Sequence, residues 1–336
     1  MTRVAINGFG RIGRNFLRAY LEREPSFEVV AINDLGDPKT MAHLLEYDSL
    51  LGRLSDGVEV DADSETITVG GHQLHAFSIP EPEKLPWREL DVDVVVESTG
   101  RFEKREKAQA HVDAGARTVV ISAVANDADV MLVLGVNDEA YEPKRHRVIS
   151  NASCTTNCVT PLAKVLHDAF TIERGFMTTV HAYTATQPIL DAPHKDLRRA
   201  RAAAINLIPT TTGATRALGT VLPQLDGKIG AIAIRAPVPV GSIVDLVVEV
   251  SRRAGRDEVN AVFRDAAEQG PLDGILRYAD EPLVSSDIVR SPYSCIFDSQ
   301  LTMVDDQLMK VFGWYDNEWG YSCRLVDLVN LVGTER

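Results

Sequence analysis

The sequence predicts an α/β protein of two domains: a parallel sheet covered by helices, then an α+β domain with a mixed, largely antiparallel sheet. Three observations predict it. Up to residue 150, apolar runs without polar alternation take turns with helical patterns, as in strands buried on both faces. After "SNASCTTNC" (Ser150–Cys158) the strand-like runs lengthen and helices become fewer. A chain of 336 residues also suffices for two separate cores. The expected domains are residues 1–152 and 153–317, with a C-terminal helix over about 318–336 packing back on the first.

The parallel strands are read in "RVAIN" (Arg3–Asn7), "FEVVAIN" (Phe27–Asn33), "VDVVVES" (Val92–Ser98), "RTVVIS" (Arg117–Ser122) and "VMLVLGV" (Val130–Val136). The polar alternating stretch Val58–Phe77, with Gly70-Gly71 at a turn, reads as an inserted hairpin. "RVIS" (Arg147–Ser150) ends a strand, and "VTPLAKVLHDAF" (Val159–Phe170) follows as an amphipathic helix that Pro161 should kink. The second sheet draws on Met177–Thr184, Ile229–Val238, Ser242–Ser251 and Gln307–Asn317.

Composition narrows the function. Apolar residues make up 45% and charged ones 25%, as in ordinary globular proteins. The formal charge of −13 argues against nucleic acid or an anionic membrane as the main partner. Four irregularly spaced cysteines make neither a disulfide framework nor a zinc pattern, so a reducing compartment and no metal are expected. The opening runs straight into a strand without a targeting pattern, and no apolar run reaches a spanning length of roughly 18 residues. A cytoplasmic protein is expected.

"NGFGRIGRN" carries G-x-G-x-x-G at Gly8, Gly10 and Gly13, after a strand and opening a helix. Glycine belongs where backbone turns tightly and approaches a pyrophosphate whose charge meets free helix N–H groups. Asp34 closes the second strand, where a carboxylate would bond an adenosine ribose 2′-OH. The competing readings are helix–strand packing for the glycines and a turn residue for Asp34. Strand, glycines, helix, strand and acid in this order favour a Rossmann domain that binds a dinucleotide. Asp34 would repel a 2′-phosphate, which favours NAD over NADP.

Cys154 sits where a strand gives way to a helix, among small polar residues. A helix start stabilises a thiolate, as does a nearby imidazole. Ser153, Thr155 and Thr156 can cap that end and offer hydroxyls to an anion. Of the eight histidines, His181 has the best context for a base, at the end of "MTTVHAYT". The plainer alternatives are a buried structural cysteine and a satisfied structural histidine.

"SNASCTTNC", "TTVHAYTATQ", "PHKDLRRARAAA", "IPTTTGA" and "WYDNEWGYS", in this order behind the front glycines, resemble the phosphorylating glyceraldehyde-3-phosphate dehydrogenases. The resemblance spans nearly the whole chain. It implies that Cys154 is the acyl-carrying nucleophile and His181 its base, with glyceraldehyde 3-phosphate and inorganic phosphate as reactants. It places Asn317 at the nicotinamide carboxamide, Arg11 and Ile12 at the pyrophosphate, and Ser122 among the cofactor-binding residues. It gives Arg235 and Thr184 to the substrate phosphate, and Arg199 to the anion sites. Ser153, Thr155, Thr212 and Gly213 would receive the attacking phosphate. It also implies a homotetramer, with His194–Pro209 near an interface, although such an arginine-rich segment can equally be an exposed helix.

The chain departs from the family pattern at Thr186, Pro188 and Val124, and in "APVPVGS" (Ala236–Ser242). Ala192 resembles NADP-accepting relatives and Gly36 leaves room near the ribose, so weaker NADP use is expected beside NAD. The nearest rival activity is that of erythrose-4-phosphate dehydrogenase. A non-catalytic NAD-binding regulator is a second rival, opposed by the presence of Cys154, His181 and both arginines.

Overall fold

The computed structural model describes residues 1–61 and 65–334. Positions 62–64 of the expected hairpin and 335–336 of the expected C-terminal helix lie outside the described residues. Two compact units emerge, one of Met1–Leu132, Glu139–Ala152 and Ser322–Arg336, the other of Val133–Asp138 and Ser153–Tyr321.

The first unit contains β1 (Thr2–Asn7), α1 (Arg11–Arg23), β2 (Phe27–Asn33), α2 (Pro38–Glu46), β3 (Val58–Asp61), β4 (Thr66–Val69) and β5 (His72–Phe77). It continues with β6 (Val94–Glu97), α3 (Arg105–Asp113), β7 (Thr118–Ile121), β8 (Val130–Met131) and β9 (Val148–Ser150). Among the described residues the sheet order is β8-β9-β7-β6-β1-β2-β5-β4-β3. Neighbours are parallel from β8 to β5, and β4 and β3 add antiparallel at one edge. The expected hairpin is thus a three-stranded meander whose last strand joins the parallel sheet. Gly70 and Gly71, both at positive φ, make its tight turn.

Ala5, Val30, Val95, Val119 and Ile121 lie buried with Trp87 in one core cluster. These are the two-sided apolar strands that the composition of the runs predicts. Because β2 and β6 flank β1 on opposite sides, the strand order reverses at β1. Ligands of such sheets bind beyond the carboxyl ends of the strands at that reversal, which is where Gly8 follows β1.

The run Val130–Val136 is strand only over Val130–Met131. Beyond it Val133 N–H bonds the Asn137 side chain at 2.9 Å and Gly135 N–H bonds Asp138 at 2.7 Å. Side-chain acceptors have displaced a ladder partner, and an apolar pattern does not reveal that competition.

The second unit holds α4 (Cys154–Phe170), β10 (Ile172–Ala182), β11 (Ile208–Thr210), α5 (Ala214–Val221), β12 (Ile229–Ala236), β13 (Ser242–Val250) and α6 (Arg256–Glu268). Then come β14 (Leu276–Ala279), β15 (Cys295–Asp298), β16 (Met303–Asp305) and β17 (Leu308–Tyr315). The described sheet runs β11-β12-β10-β13-β17-β15-β14, with β16 on β17. Only β10–β12 and β14–β15 are parallel pairs among them, so the sheet is mixed and largely antiparallel. The carboxyl ends of β10, β12 and β17 and the amino end of β13 therefore meet along one edge, with His181 level with Arg235 and Ser242 level with Tyr315.

Helix α4 contains the thiol and runs through Pro161 as a single helix. The segment His194–Pro209 is not an α-helix: a short 3-10 turn (Ala203–Ile205) and the start of β11 are its regular parts. His194 and Asp196 accept from nearby backbone N–H groups, and Asp191 from that of Ala202, which favours turns over helix. The last helix, α7 (Trp319–Thr334), holds to the first unit by Thr2 Oγ1 donating to Gly333 O (2.9 Å) and Arg23 to Asp327 (2.8 Å).

Candidate active site

The chain reaches the thiol through a strained turn. Ala152 adopts a φ of 54°, a left-handed conformation that costs an L-residue about 1–2 kcal/mol. Its N–H is held by Ser150 Oγ at 3.1 Å. Ser153 then caps α4, its Oγ accepting from Thr156 N–H at 3.0 Å. Cys154 is the first residue of that 17-residue helix, where the dipole favours negative charge. It alone of the four cysteines is partly exposed.

His181, buried on β10, faces it with Nε2 at 3.4 Å from Sγ. Nδ1 lies 2.7 Å from Ala182 O and 2.5 Å from Arg235 Nη1; the guanidinium can only donate, so the tautomer with Nδ1–H on the carbonyl, which leaves the Nε2 lone pair toward the thiol, requires Arg235 to turn off Nδ1. Burial pushes the Cys154 thiol up, while Arg235, the Thr155 hydroxyl and backbone N–H groups pull it back. Burial, then the Arg235 charge, pulls His181 down to about 3. Both shifts oppose an isolated charge. Proton transfer from Sγ to Nε2 instead creates two opposite charges side by side, whose attraction is on the order of 5 kcal/mol at an effective dielectric of about 20. Tyr315 braces the pair. Its hydroxyl bonds Thr155 Oγ1 (2.9 Å) and Thr179 Oγ1 (2.8 Å), and its ring stands edge-on to the His181 ring with centroids 5.9 Å apart.

Cations gather beside this pair. Arg235 Nη1 lies 2.5 Å from His181 Nδ1 and donates to Ala182 O at 3.2 Å. Arg199 Nη2 donates to Thr186 Oγ1 at 2.5 Å, and Thr186 Oγ1 lies 3.0 Å from Thr184 Oγ1. Thr186, one of the departures noted in the sequence, thus links the two expected anion-binding residues. Thr212 and Gly213 stand at the start of α5, with Thr212 Oγ1 accepting from Ala214 N–H at 3.2 Å. No hydrogen bond among the described residues joins them to Cys154 or Arg199.

In the first unit, the three glycines differ in what a side chain would meet. At Gly8, with φ +94°, a Cβ would stand 2.5 Å from Thr99 N; at Gly13 it would stand 2.2 Å from Gly8 O. At Gly10 it would meet nothing within 4 Å. Turn, open approach and close helix–strand packing are the three roles a dinucleotide loop demands. Arg11 and Ile12 begin α1, ahead of the backbone bond from Arg14 N–H to Gly10 O (3.1 Å). The Arg11 side chain turns to Asp48. Asp34 Oδ2 accepts from Phe9 N–H (2.7 Å) and Oδ1 from Gly36 N–H (2.9 Å), which pins the glycine loop. Ser122 follows β7, its N–H on Glu97 O at 2.9 Å. A cavity of about 190 Å³ is lined by Gly8, Gly10, Asp34, Leu35, Thr99 and Arg101, among others. These residues fit the adenosine side of a dinucleotide.

Residues 2–105 match the family described as "Glyceraldehyde 3-phosphate dehydrogenase, NAD binding domain", and residues 153–317 match its "C-terminal domain". The chain is 60% identical to glyceraldehyde-3-phosphate dehydrogenase 2 of Streptomyces avermitilis over 334 residues, 99% of both chains. It is 59% identical to the Streptomyces coelicolor enzyme (99% of both chains) and to that of Mycobacterium tuberculosis (98% of both). The chain belongs to the glyceraldehyde 3-phosphate dehydrogenase family. Its amino-terminal part is that family's NAD-binding domain.

Within this family member, the second unit brings together Cys154, His181 and Arg235, and separately Arg199 with Thr184. Asn317, just past β17, is buried with its Oδ1 on Ser242 Oγ at 3.0 Å. Sequence reasoning missed Tyr315, Thr179, Ser242 and Ala152. "WYDNEWGYS" displayed Tyr315 beside Asn317, but nothing in the sequence pairs it with Thr155.

Proposed function

We infer that the protein oxidises glyceraldehyde 3-phosphate with NAD and phosphorylates the product to 1,3-bisphosphoglycerate. The observation that carries this is the Cys154–His181 pair at 3.4 Å with the Arg235 guanidinium against the imidazole. Cys154 Sγ, having passed its proton to His181, adds to the aldehyde carbon, and His181 returns that proton to the carbonyl oxygen to give a hemithioacetal. His181 Nε2 then takes the hydroxyl proton, and a thioester on Cys154 remains. NAD, when bound, supplies the acceptor for the hydride. Inorganic phosphate attacks the thioester, the C–S bond breaks, and the acyl phosphate leaves with the oxidation energy conserved. The Cys154 N–H at the helix start and protonated His181 stabilise the oxyanion.

Arg235 and Thr184 hold the substrate phosphate in this reading, and Arg199 completes the anion sites. Ser153, Thr155, Thr212 and Gly213 receive inorganic phosphate. Gly8, Gly10, Arg11, Ile12, Gly13, Asp34 and Ser122 hold the dinucleotide, Asn317 its carboxamide, and NADP is the weaker cofactor. Residues 1–152, with the C-terminal helix, form the nucleotide domain and 153–317 the catalytic one. We place the protein in the cytoplasm; no described helix is long and apolar enough to cross a membrane.

A homotetramer is supported by exposed Phe176, Ile189, Leu190, Leu197, Ile205 and Leu207, each more than two-thirds accessible. Apolar surface on that scale marks an interaction site. Light scattering showing a monomer at micromolar concentration would refute it. For the reaction, intact-mass analysis after mixing protein, NAD and aldehyde without phosphate should show an acyl adduct that phosphate discharges. No adduct in the wild type would refute the covalent route.

A further inference from the structure

Asn317 is 5% exposed, and its Nδ2 has no hydrogen-bond partner among the described residues. The Nδ2 atom is not enclosed with the rest of the side chain, so its two N–H groups are open to solvent or to a ligand. Which end of that amide is free is settled by Ser242, at 1% exposed. The Ser242 hydroxyl accepts from Ala182 N–H at 3.1 Å, a donor fixed by strand β10. Its own proton has one acceptor among the described residues, Asn317 Oδ1 at 3.0 Å. With the amide reversed, Nδ2–H and Ser242 O–H would face each other as donors, and the hydroxyl proton would be stranded in a dry site.

We propose that Ser242 is a positioning residue that locks the Asn317 amide with Nδ2 outward, so that the site reads the carbonyl of the cofactor's carboxamide and not its amino group. The inference rests on the NAD reading and deepens it. Two N–H donors recognise an acceptor, and a site built to hydrogen-bond a group discriminates strongly against an analogue lacking it. The backbone register makes the lock rigid. Ser242 begins β13 level with Tyr315 of β17, two residues before Asn317, while Ala182 ends β10 beside His181.

The test compares binding, by calorimetry on the intact protein, of NAD, ADP-ribose and 3-acetylpyridine adenine dinucleotide. The last keeps the carbonyl and replaces the amino group by methyl. In the wild type it should bind within about threefold of NAD, since the donors of Asn317 are still met. Ser242→Ala frees the amide to turn and should weaken NAD about tenfold while leaving ADP-ribose, which has no carboxamide, unchanged; Ser242→Thr, which keeps the hydroxyl, should recover NAD binding. A loss of tenfold or more for the acetylpyridine analogue in the wild type would overturn the proposal without needing a variant. So would equal weakening of NAD and ADP-ribose in Ser242→Ala, which marks mere structural damage. If the wild type bound neither NAD nor ADP-ribose, the cofactor reading itself would fall.

Discussion

His181 Nε2 stands 3.4 Å from Cys154 Sγ although the two residues are 27 apart in the chain. One begins a capped helix and the other ends a strand, so neither depends on a flexible loop. Cys154→Ser should therefore lower kcat by roughly four orders of magnitude or more, the scale of removing a catalytic nucleophile. NAD binding should persist, because the glycines and Asp34 lie elsewhere. The remaining cysteines set a control. Cys158, Cys295 and Cys323 are buried; burial lifts the Cys158 thiol well above its ordinary range and that of Cys323 to about 11. Cys154 is the one that reagent can reach and that has an imidazole beside it, so at pH 8 iodoacetamide should modify Cys154 alone. Rapid labelling of Cys323 at that pH would contradict this.

His181→Asn removes the imidazole that stands 3.4 Å from the thiol. The acylation rate should fall by roughly 10²–10⁴, the usual worth of a general base. The pH dependence of Cys154 alkylation should move upward, since the thiol then loses its proton acceptor and keeps the burial that already pushes it up. Alkylation at pH 7 as fast as in wild type would remove His181 from the role.

Arg235→Ala should raise KM for glyceraldehyde 3-phosphate by roughly 10²-fold, about 3 kcal/mol for a charged hydrogen bond lost. KM for unphosphorylated glyceraldehyde should change far less. Because Arg235 also depresses His181, its removal should let the imidazole hold its proton to higher pH. Equal KM changes for the two aldehydes would separate Arg235 from the substrate phosphate.

NAD should be preferred over NADP by at least roughly tenfold in kcat/KM, about 1.4 kcal/mol. Asp34→Ala should narrow the gap by relieving repulsion of the 2′-phosphate. It should also loosen the glycine loop, since Asp34 holds Phe9 N–H at 2.7 Å, so NAD affinity falls too. Equal efficiency of the wild type with both cofactors would refute the preference.

Much of this was legible in the sequence, for physical reasons. Two-sided apolar runs located the strands of the first sheet within a residue or two, because burial on both faces leaves no room for polar residues. Val130–Val136 has the same composition, yet Asn137 and Asp138 capture its backbone donors, and periodicity cannot register that. Gly8, Gly10, Gly13 and Cys154 were legible because backbone geometry restricts what can stand there. Tyr315, Ser242 and Thr186 were not, because their roles come from partners brought close by pairing between distant strands and loops. A tyrosine or serine looks the same in sequence whether or not its hydroxyl meets Thr155 or Asn317.

The central claim is phosphate-dependent oxidation of a phosphorylated triose through Cys154. A steady-state assay of NADH formation with glyceraldehyde 3-phosphate and with erythrose 4-phosphate, each with and without inorganic phosphate, tests it most directly. Sustained turnover of the triose is expected only with phosphate, with a single burst of one NADH per site without it and a much lower kcat/KM for the tetrose. Turnover of the triose at the same rate without phosphate, or preference for the tetrose, would contradict it.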